Sequence, residues 1–304
     1  MRIILNQDIS NDWKKQLTES GPVPLLHQPV DIERTGRVAR HYLNDLPSLR
    51  KTLSSGEGYI IFSGLPQDNV IPTPPRKDNE LTGKTRISES VLLGVTEAIG
   101  FHPFSYREEK NGVLVHDVTP FPEKINAVSS NGIKAFPWHT DAAYLNRNIR
   151  PATLSLYCLN NQARSGTRLA AVDEILRQLS ENEISILTTA RFLHHAPETF
   201  TVKKEQVIAS VLDRVDGCYE LKLSSHNIEP LTPEAKNALN ALLSAMDNVA
   251  ITHEWHPGDM VIFSNTRCVH ARGNIEGKRW LQRCYGSSTI SPGSILNADS
   301  YLLG

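Results

Sequence analysis

Apolar positions along this chain alternate between a helical and a strand-like period. Over 31–56, Val38, Tyr42, Leu43, Leu46 and Leu49 recur at helical spacing among Arg and Asp, predicting a helix closed by Ser54-Ser55-Gly56. Gly58 to Phe62 is a compact apolar run ending at Ser63-Gly64-Leu65-Pro66, which predicts a buried strand and a turn. Residues 66–85 are rich in Pro, Asp, Asn and Lys, and Ile71-Pro72-Thr73-Pro74-Pro75 cannot be helical. This stretch is expected to be a surface loop. A helix follows, with Ser88 as N-cap, an apolar face of Val91, Leu92, Val95 and Ile99, and a stop at Gly100. Short strands and loops fill 101–134, including 113–118.

Beyond Trp138 the pattern is mostly of strands. Pro151 to Leu159 alternates as a strand buried mainly on one face, and 160–166 is a loop. Helices are expected over 171–179 and 181–190. Strands over 200–229 meet at Asp216-Gly217, a hairpin signal. Thr232-Pro233 caps a helix running to about Met246. His253-Glu254-Trp255, the turn Pro257-Gly258-Asp259, a strand at Met260–Phe263 and another at Arg279–Tyr285 complete the chain. No repeat, low-complexity tract or linker interrupts it. The expectation is a single mainly β domain over 1–304 with flanking helices.

Composition narrows the class. The chain has 304 residues, 39% hydrophobic and 21% charged, as in a soluble protein with a large core. A net charge of -1 gives no footprint for nucleic acid or an anionic membrane. No apolar run approaches the roughly 20 residues of a membrane span. The N-terminus turns polar too early for a signal peptide. Cys158, Cys218, Cys268 and Cys284 are scattered, which reads as reduced thiols and a cytoplasmic location.

The chemistry concentrates in Phe136-Pro137-Trp138-His139-Thr140-Asp141. On an extended strand, residues i and i+2 share a face, so His139 and Asp141 can grip one metal. His270, beyond the 260–263 strand, is the best third ligand. Two His and one carboxylate on one face of a metal is the arrangement of non-heme Fe(II) oxygenases. With eleven histidines present, chance pairs must be discounted. His194-His195, His116, His253 and His256 are read as structural or surface residues. Arg279 and Arg283 fall on one face of their strand, where guanidinium groups can hold carboxylates through paired hydrogen bonds.

In order and spacing, several segments resemble the Fe(II)/2-oxoglutarate dioxygenases of the taurine dioxygenase and clavaminate synthase type. They are Gly58–Pro66, Gly112–Val118, Ser129-Ser130-Asn131-Gly132, His139-Thr140-Asp141, Pro257-Gly258-Asp259, His270-Ala271-Arg272 and Arg279–Arg283. The likeness is greatest to the branch with asparagine oxygenase and arginine β-hydroxylase, which act on free amino acids. The resemblance implies a double-stranded β-helix (jelly roll, clavaminate synthase-like) with iron at one end. It implies His139, Asp141 and His270 as iron ligands, and Arg279 with Thr167 at the distal carboxylate of 2-oxoglutarate. It implies Arg283 near a substrate or cosubstrate carboxylate, and Ser129 and Ser130 at the substrate backbone. Asp141 stands where related halogenases have Gly or Ala, which favours hydroxylation. Residues 221–227 lack the acids with which the arginine hydroxylase grips its guanidinium.

The implied activity is hydroxylation of an unactivated C–H in a free L-amino acid, using Fe(II), 2-oxoglutarate and O2, releasing succinate and CO2 and serving specialised-metabolite (antibiotic) biosynthesis. The alternatives are another small acid such as a sulfonate, a carrier-tethered amino acid, desaturation, or a non-catalytic metal-binding jelly roll. Residues 66–85 are expected to close over the site as a lid.

Overall fold

The computed structural model describes residues 1–19, 28–197, 202 and 206–298. Part of the strand-rich stretch expected over 200–229, namely 200, 201 and 203–205, lies outside these.

The chain opens with strand β1 (Arg2–Ile4) and helices α1 (Gln7–Glu19), α2 (Pro29–Tyr42) and α3 (Leu46–Ser55). The single helix expected over 31–56 is therefore two. The break is at Asp45, whose φ of 50° is left-handed and whose carboxylate accepts a bond from Ser48 N. Pro47 sits in the first turn of α3, where its missing N–H costs nothing, and a helix cannot run through it unbroken.

Strand β2 (Tyr59–Ser63) follows, then the loop over 66–85 and helix α4 (Ile87–Ala98). Helix α4 is buried on nearly every side, so its sequence is apolar almost all round. Close approach to α2 is built in: a Cβ on Gly94 would lie 2.7 Å from the Thr35 carbonyl oxygen. Ser88 does not cap α4. Asp68 does so from the loop, accepting Ile87 N (3.2 Å), Ser88 N (3.1 Å) and the Thr85 hydroxyl (2.8 Å).

Next come β3 (His102–Tyr106), β4 (His116–Val118), β5 (Phe136–His139), β6 (Thr153–Asn161) and β7 (Gly166–Ala171). Strand β7 fills the gap between the loop expected to Gly166 and the helix expected from Ala171, and takes one residue from each. Its Leu-Ala-Ala favours helix, and pairing on both edges overrides that preference. Helices α5 (Val172–Leu176) and α6 (Glu181–Leu187) lead to β8 (Phe192–His195), β9 (Gln206–Ala209), β10 (Leu212–Val215), β11 (Cys218–Leu221) and β12 (Ile228–Pro230). Val215 pairs Cys218 across Asp216-Gly217, both at positive φ (49° and 81°), as a two-residue hairpin turn requires. Helix α7 (Pro233–Val249), capped by Thr232, precedes β13 (Ile251–Glu254), β14 (Met260–Ser264), β15 (Cys268–Arg272), β16 (Arg279–Ser287) and β17 (Ile295–Leu296).

Two sheets form the jelly roll. The larger runs β1-β2-β14-β6-β16-β3-β17, with β4 also on β16; the smaller runs β13-β7-β15-β5. Alternation along the strands sorts side chains into layers. Leu154, Leu156, Val261, Phe263 and Leu281 face the interior, whereas Tyr157, Leu159, Met260, Ile262 and Trp280 face the α1–α4 layer. Strand β6 is thus buried on both faces, not mainly on one. The outer face of the smaller sheet packs through Ala170, Val269 and Ala271 against α7 residues Leu239, Leu242 and Met246. The site opens at one end, where β5 and β15 meet. Among the described residues no helix is long and apolar enough to cross a membrane.

Candidate metal centre and its two cavities

His139 closes β5 and His270 lies in the middle of β15; the two pair directly across the antiparallel ladder, which brings their ring centroids to 4.0 Å. Asp141 lies just beyond β5, where the chain turns at Ala142 with φ 54°. The two side chains therefore converge through a turn, not through an extended strand. Asn265 braces that turn from both sides, accepting Asp141 N (2.8 Å) and donating to Asp141 O (2.9 Å).

Asp141 Oδ1 stands 3.4 Å from His139 Nε2 and 3.6 Å from His270 Nε2. One donor atom from each residue lies within 4.8 Å of the others, and all three residues are buried. His139 Nδ1 is 2.8 Å from the Pro137 carbonyl oxygen. A proton on Nδ1 satisfies that carbonyl and leaves the Nε2 lone pair for a metal.

The second carboxylate oxygen is occupied. Asp141 Oδ2 accepts Arg283 Nη1 (2.6 Å) and the Tyr285 hydroxyl (3.2 Å). Burial pushes the Asp141 carboxyl up, but Arg283 and the two imidazoles outweigh it and hold the group well below the usual carboxylate range. Burial, then the His139 imidazole, push His270 well below the ordinary histidine value. Both shifts keep the triad in the form that binds a cation. A borderline nitrogen–oxygen donor set of two imidazoles and one carboxylate suits Fe(II).

Two cavities meet at the triad. The larger, about 580 Å³, is lined by Ser129, Ser130, Glu109, Tyr144, His226 and Asn227 among others. The smaller, about 40 Å³, is lined by Thr167, His270, Arg272 and Arg279. Ser130, Phe136, His139 and Arg283 line both. A space of this size exceeds the roughly 10–15 Å³ a water needs, and it admits a carboxylate end.

Arg279 and Arg283 do enter one cavity, as the strand spacing predicts. The β6–β16 ladder has an irregularity beside Trp280, with Trp280 opposite Asn160 and Leu281 opposite Cys158. The extra residue is Leu159, so alternation along β16 is unbroken. Arg279 is 2% exposed, and its Nε and Nη1 have no hydrogen-bond partner. Burial, then the neighbouring Arg272 cation, lower its pKa to about 9. A buried cation with idle donors in a pocket whose described lining carries no carboxylate is a receptor for an anion. Thr167 Oγ1 accepts Trp255 Nε1 (2.9 Å), which leaves its own O–H to donate.

Arg283 is engaged more widely than its sequence suggests. Besides Asp141, it binds Glu109 Oε1 (2.6 Å) and His116 Nδ1 (2.7 Å). His116, with Nε2 against the Val113 carbonyl, is a buried part of this network and not a surface residue. Ser129 and Ser130 both face the larger cavity. Glu109, Tyr285 and Asn265 carry no sequence signal of their own; only the fold brings them to the triad. His194 and His195 line the larger cavity, with His194 Nε2 on the Ser210 carbonyl.

Comparison with known proteins decides the family. Residues 48–285 match the "Taurine catabolism dioxygenase TauD, TfdA family". The chain belongs to this family. As a TauD/TfdA dioxygenase it uses iron and 2-oxoglutarate. It is 31% identical to an L-asparagine oxygenase of Streptomyces coelicolor, over 86% of this chain and 80% of that one. It is 28% identical to clavaminate synthase 2 of Streptomyces clavuligerus, over 77% of this chain and 75% of that one. Among solved structures, an asparagine oxygenase with Fe(II), 3-hydroxyasparagine and succinate superposes with a TM-score of 0.86 at 24% identity, covering 97% of this chain and 98% of that one. The non-heme iron oxygenase OrfP, solved with Fe, succinate and a dihydroxyarginine, gives 0.81 at 21% identity, covering 95% and 94%. These structures share the TauD/TfdA jelly roll described above.

Proposed function

We propose that this protein is a single catalytic domain that hydroxylates an unactivated C–H bond of a free L-amino acid, releasing succinate and CO2, in specialised-metabolite biosynthesis. His139, Asp141 and His270 would hold Fe(II) where the two cavities meet. Iron with bound 2-oxoglutarate supplies the oxygen activation that a protein side chain cannot. Arg279 takes the distal carboxylate of 2-oxoglutarate in the small cavity, with Thr167 donating beside it.

The observation that carries the amino-acid reading is the pair Arg283 and Glu109, 2.6 Å apart, on the wall of the larger cavity beside Asp141. A guanidinium and a carboxylate side by side match the carboxylate and ammonium of a zwitterion. Ser129 and Ser130 add hydrogen-bonding groups for its backbone. Arg283 and Tyr285 hold Asp141 Oδ2, so Oδ1 is aimed at the metal and the carboxylate stays ionised. The names of the relatives, asparagine oxygenase and L-lysine 3-hydroxylase among them, support an amino-acid substrate.

The test is a mass-spectrometric screen of the common L-amino acids with Fe(II), ascorbate and 2-oxoglutarate. One amino acid should gain a single oxygen and accelerate succinate formation, and Asp141→Ala should abolish both. Loss of two hydrogens in place of oxygen gain would instead mark a desaturase. Full hydroxylation by Asp141→Ala would sink the triad assignment.

A further inference from the structure

Arg272 lies two residues beyond His270 on β15 and lines the small cavity beside Arg279. Its Nη2 donates to the carbonyl oxygens of Ser129 (3.1 Å) and Gly132 (3.2 Å), and its Nη1 to Gly273 O (3.0 Å). The segment so held is the loop that faces the larger cavity. Its shape is already narrow: a Cβ on Gly132 would lie 1.9 Å from the Ala127 carbonyl oxygen. Asn131 fixes the far side, donating to Asp117 O (3.0 Å) and Thr119 O (2.9 Å) and accepting Lys110 Nζ (2.9 Å).

One guanidinium therefore touches both compartments. It grips the backbone of the Ser129–Gly132 loop, and it shares a buried cavity with a second cation. No carboxylate lines that cavity among the described residues. Two like charges in a low-dielectric space repel until an anion arrives. A dicarboxylate at Arg279 supplies that anion, and Arg272 then keeps its carbonyl contacts at lower cost.

We infer that Arg272 is a positioning residue that couples the two cavities: occupancy of the small cavity by 2-oxoglutarate stiffens the Ser129–Gly132 loop that receives the amino acid. The inference rests on the small cavity being the 2-oxoglutarate site. Coupling of this kind is a free energy shared between two ligands and is measurable without turnover.

The experiment is hydrogen–deuterium exchange over 124–134 in the full-length protein loaded with redox-inert Zn(II), with and without 2-oxoglutarate. Calorimetric titration of 2-oxoglutarate runs in parallel. In the wild type, 2-oxoglutarate should slow exchange in this segment about 5-fold or more, the low end of ordinary coupling. Arg272→Gln should still bind 2-oxoglutarate but lose that slowing, and Arg272→Lys, which keeps the charge, should recover part of it. Should Arg272→Gln fail to fold, Arg272→Lys carries the test through a reduced slowing. If the variants slow the segment as the wild type does, or if the wild type binds 2-oxoglutarate without slowing, the coupling is overturned and the cosubstrate site stands. If 2-oxoglutarate does not bind the wild type, both fall.

Discussion

Arg279 keeps a guanidinium in the core with two nitrogens, Nε and Nη1, unpartnered. A structure built only for stability would not retain this, because an unpaired buried charge is costly. Two outcomes of opposite sign follow for Arg279→Met. The cosubstrate-free protein should melt higher, by about 2–4 °C for each kcal/mol relieved. Binding of 2-oxoglutarate should weaken by about 10- to 100-fold, the worth of a lost charge-assisted hydrogen-bond pair. A variant that bound 2-oxoglutarate normally would remove the role given to Arg279. His194 makes a pH-dependent statement. Burial, then the Lys222 ammonium, push its pKa from 6.5 down to about 4. The unfolded chain takes up a proton near the upper value that the fold refuses until the lower. Its stability contribution is therefore full above 6.5 and is lost as pH falls toward 4. The loss is at most about 1.4 kcal/mol per pH unit. Melting curves between these limits should flatten in His194→Gln; an unchanged slope would assign the effect elsewhere. Individual residues were legible as candidates where their spacing and their chemistry suit one site. His139, Asp141, His270 and Arg279 meet that condition. Asn265 and Glu109 do not, because their partners lie more than a hundred residues away in sequence.

Asp68 shows the same limit one level up. A cap on the helix that begins at Ile87 is legible in principle from Ser88, yet the group that performs it comes from the preceding loop. The loop over 66–85 was expected to be a lid. Asp68 ties its start to α4, and Lys84 bonds Ser88 (2.7 Å) and also pairs with Glu89. Its Asp78 pairs with Lys110 (3.1 Å) and with Lys124 (3.0 Å), a residue of the larger cavity's wall. The segment is pinned at both ends and reaches the rim through one carboxylate. Replacing Asp68 with Ala should cost about 2 kcal/mol, the upper end for a lost N-cap, because it leaves two backbone N–H donors at a buried site without their acceptor. Urea unfolding measures this; a cost near zero would mean the helix start does not need the loop. Strand β7 was missed because Leu169, Ala170 and Ala171 have no strand preference of their own. Its state is set by β13 and β15, and the pairing with β15 places Thr167 beside Arg272.

At the scale of the molecule, two of the four sheets among the described residues form the jelly roll. The strand-like pattern, compact apolar runs at β2 and β14 with alternation at β6, made the mainly β class legible before any contact was known. What it could not supply was strand order. Strands β5 and β15 are joined in space but separated by more than a hundred residues, and their pairing is what sets His139 against His270. The jelly roll thus does the work a short motif cannot. It sets His139 of β5 against His270 of β15, carries Arg279 and Arg283 on β16, and brings two cavities to that point. In the proposed function these parts serve one reaction, so the most direct measurement follows the oxygen atoms. With the responding amino acid and heavy-isotope dioxygen, one labelled oxygen should appear in succinate and the other in the hydroxylated amino acid, in equal amounts. Succinate formed without any labelled amino-acid product across the full panel, or product oxygen drawn from water, would contradict it.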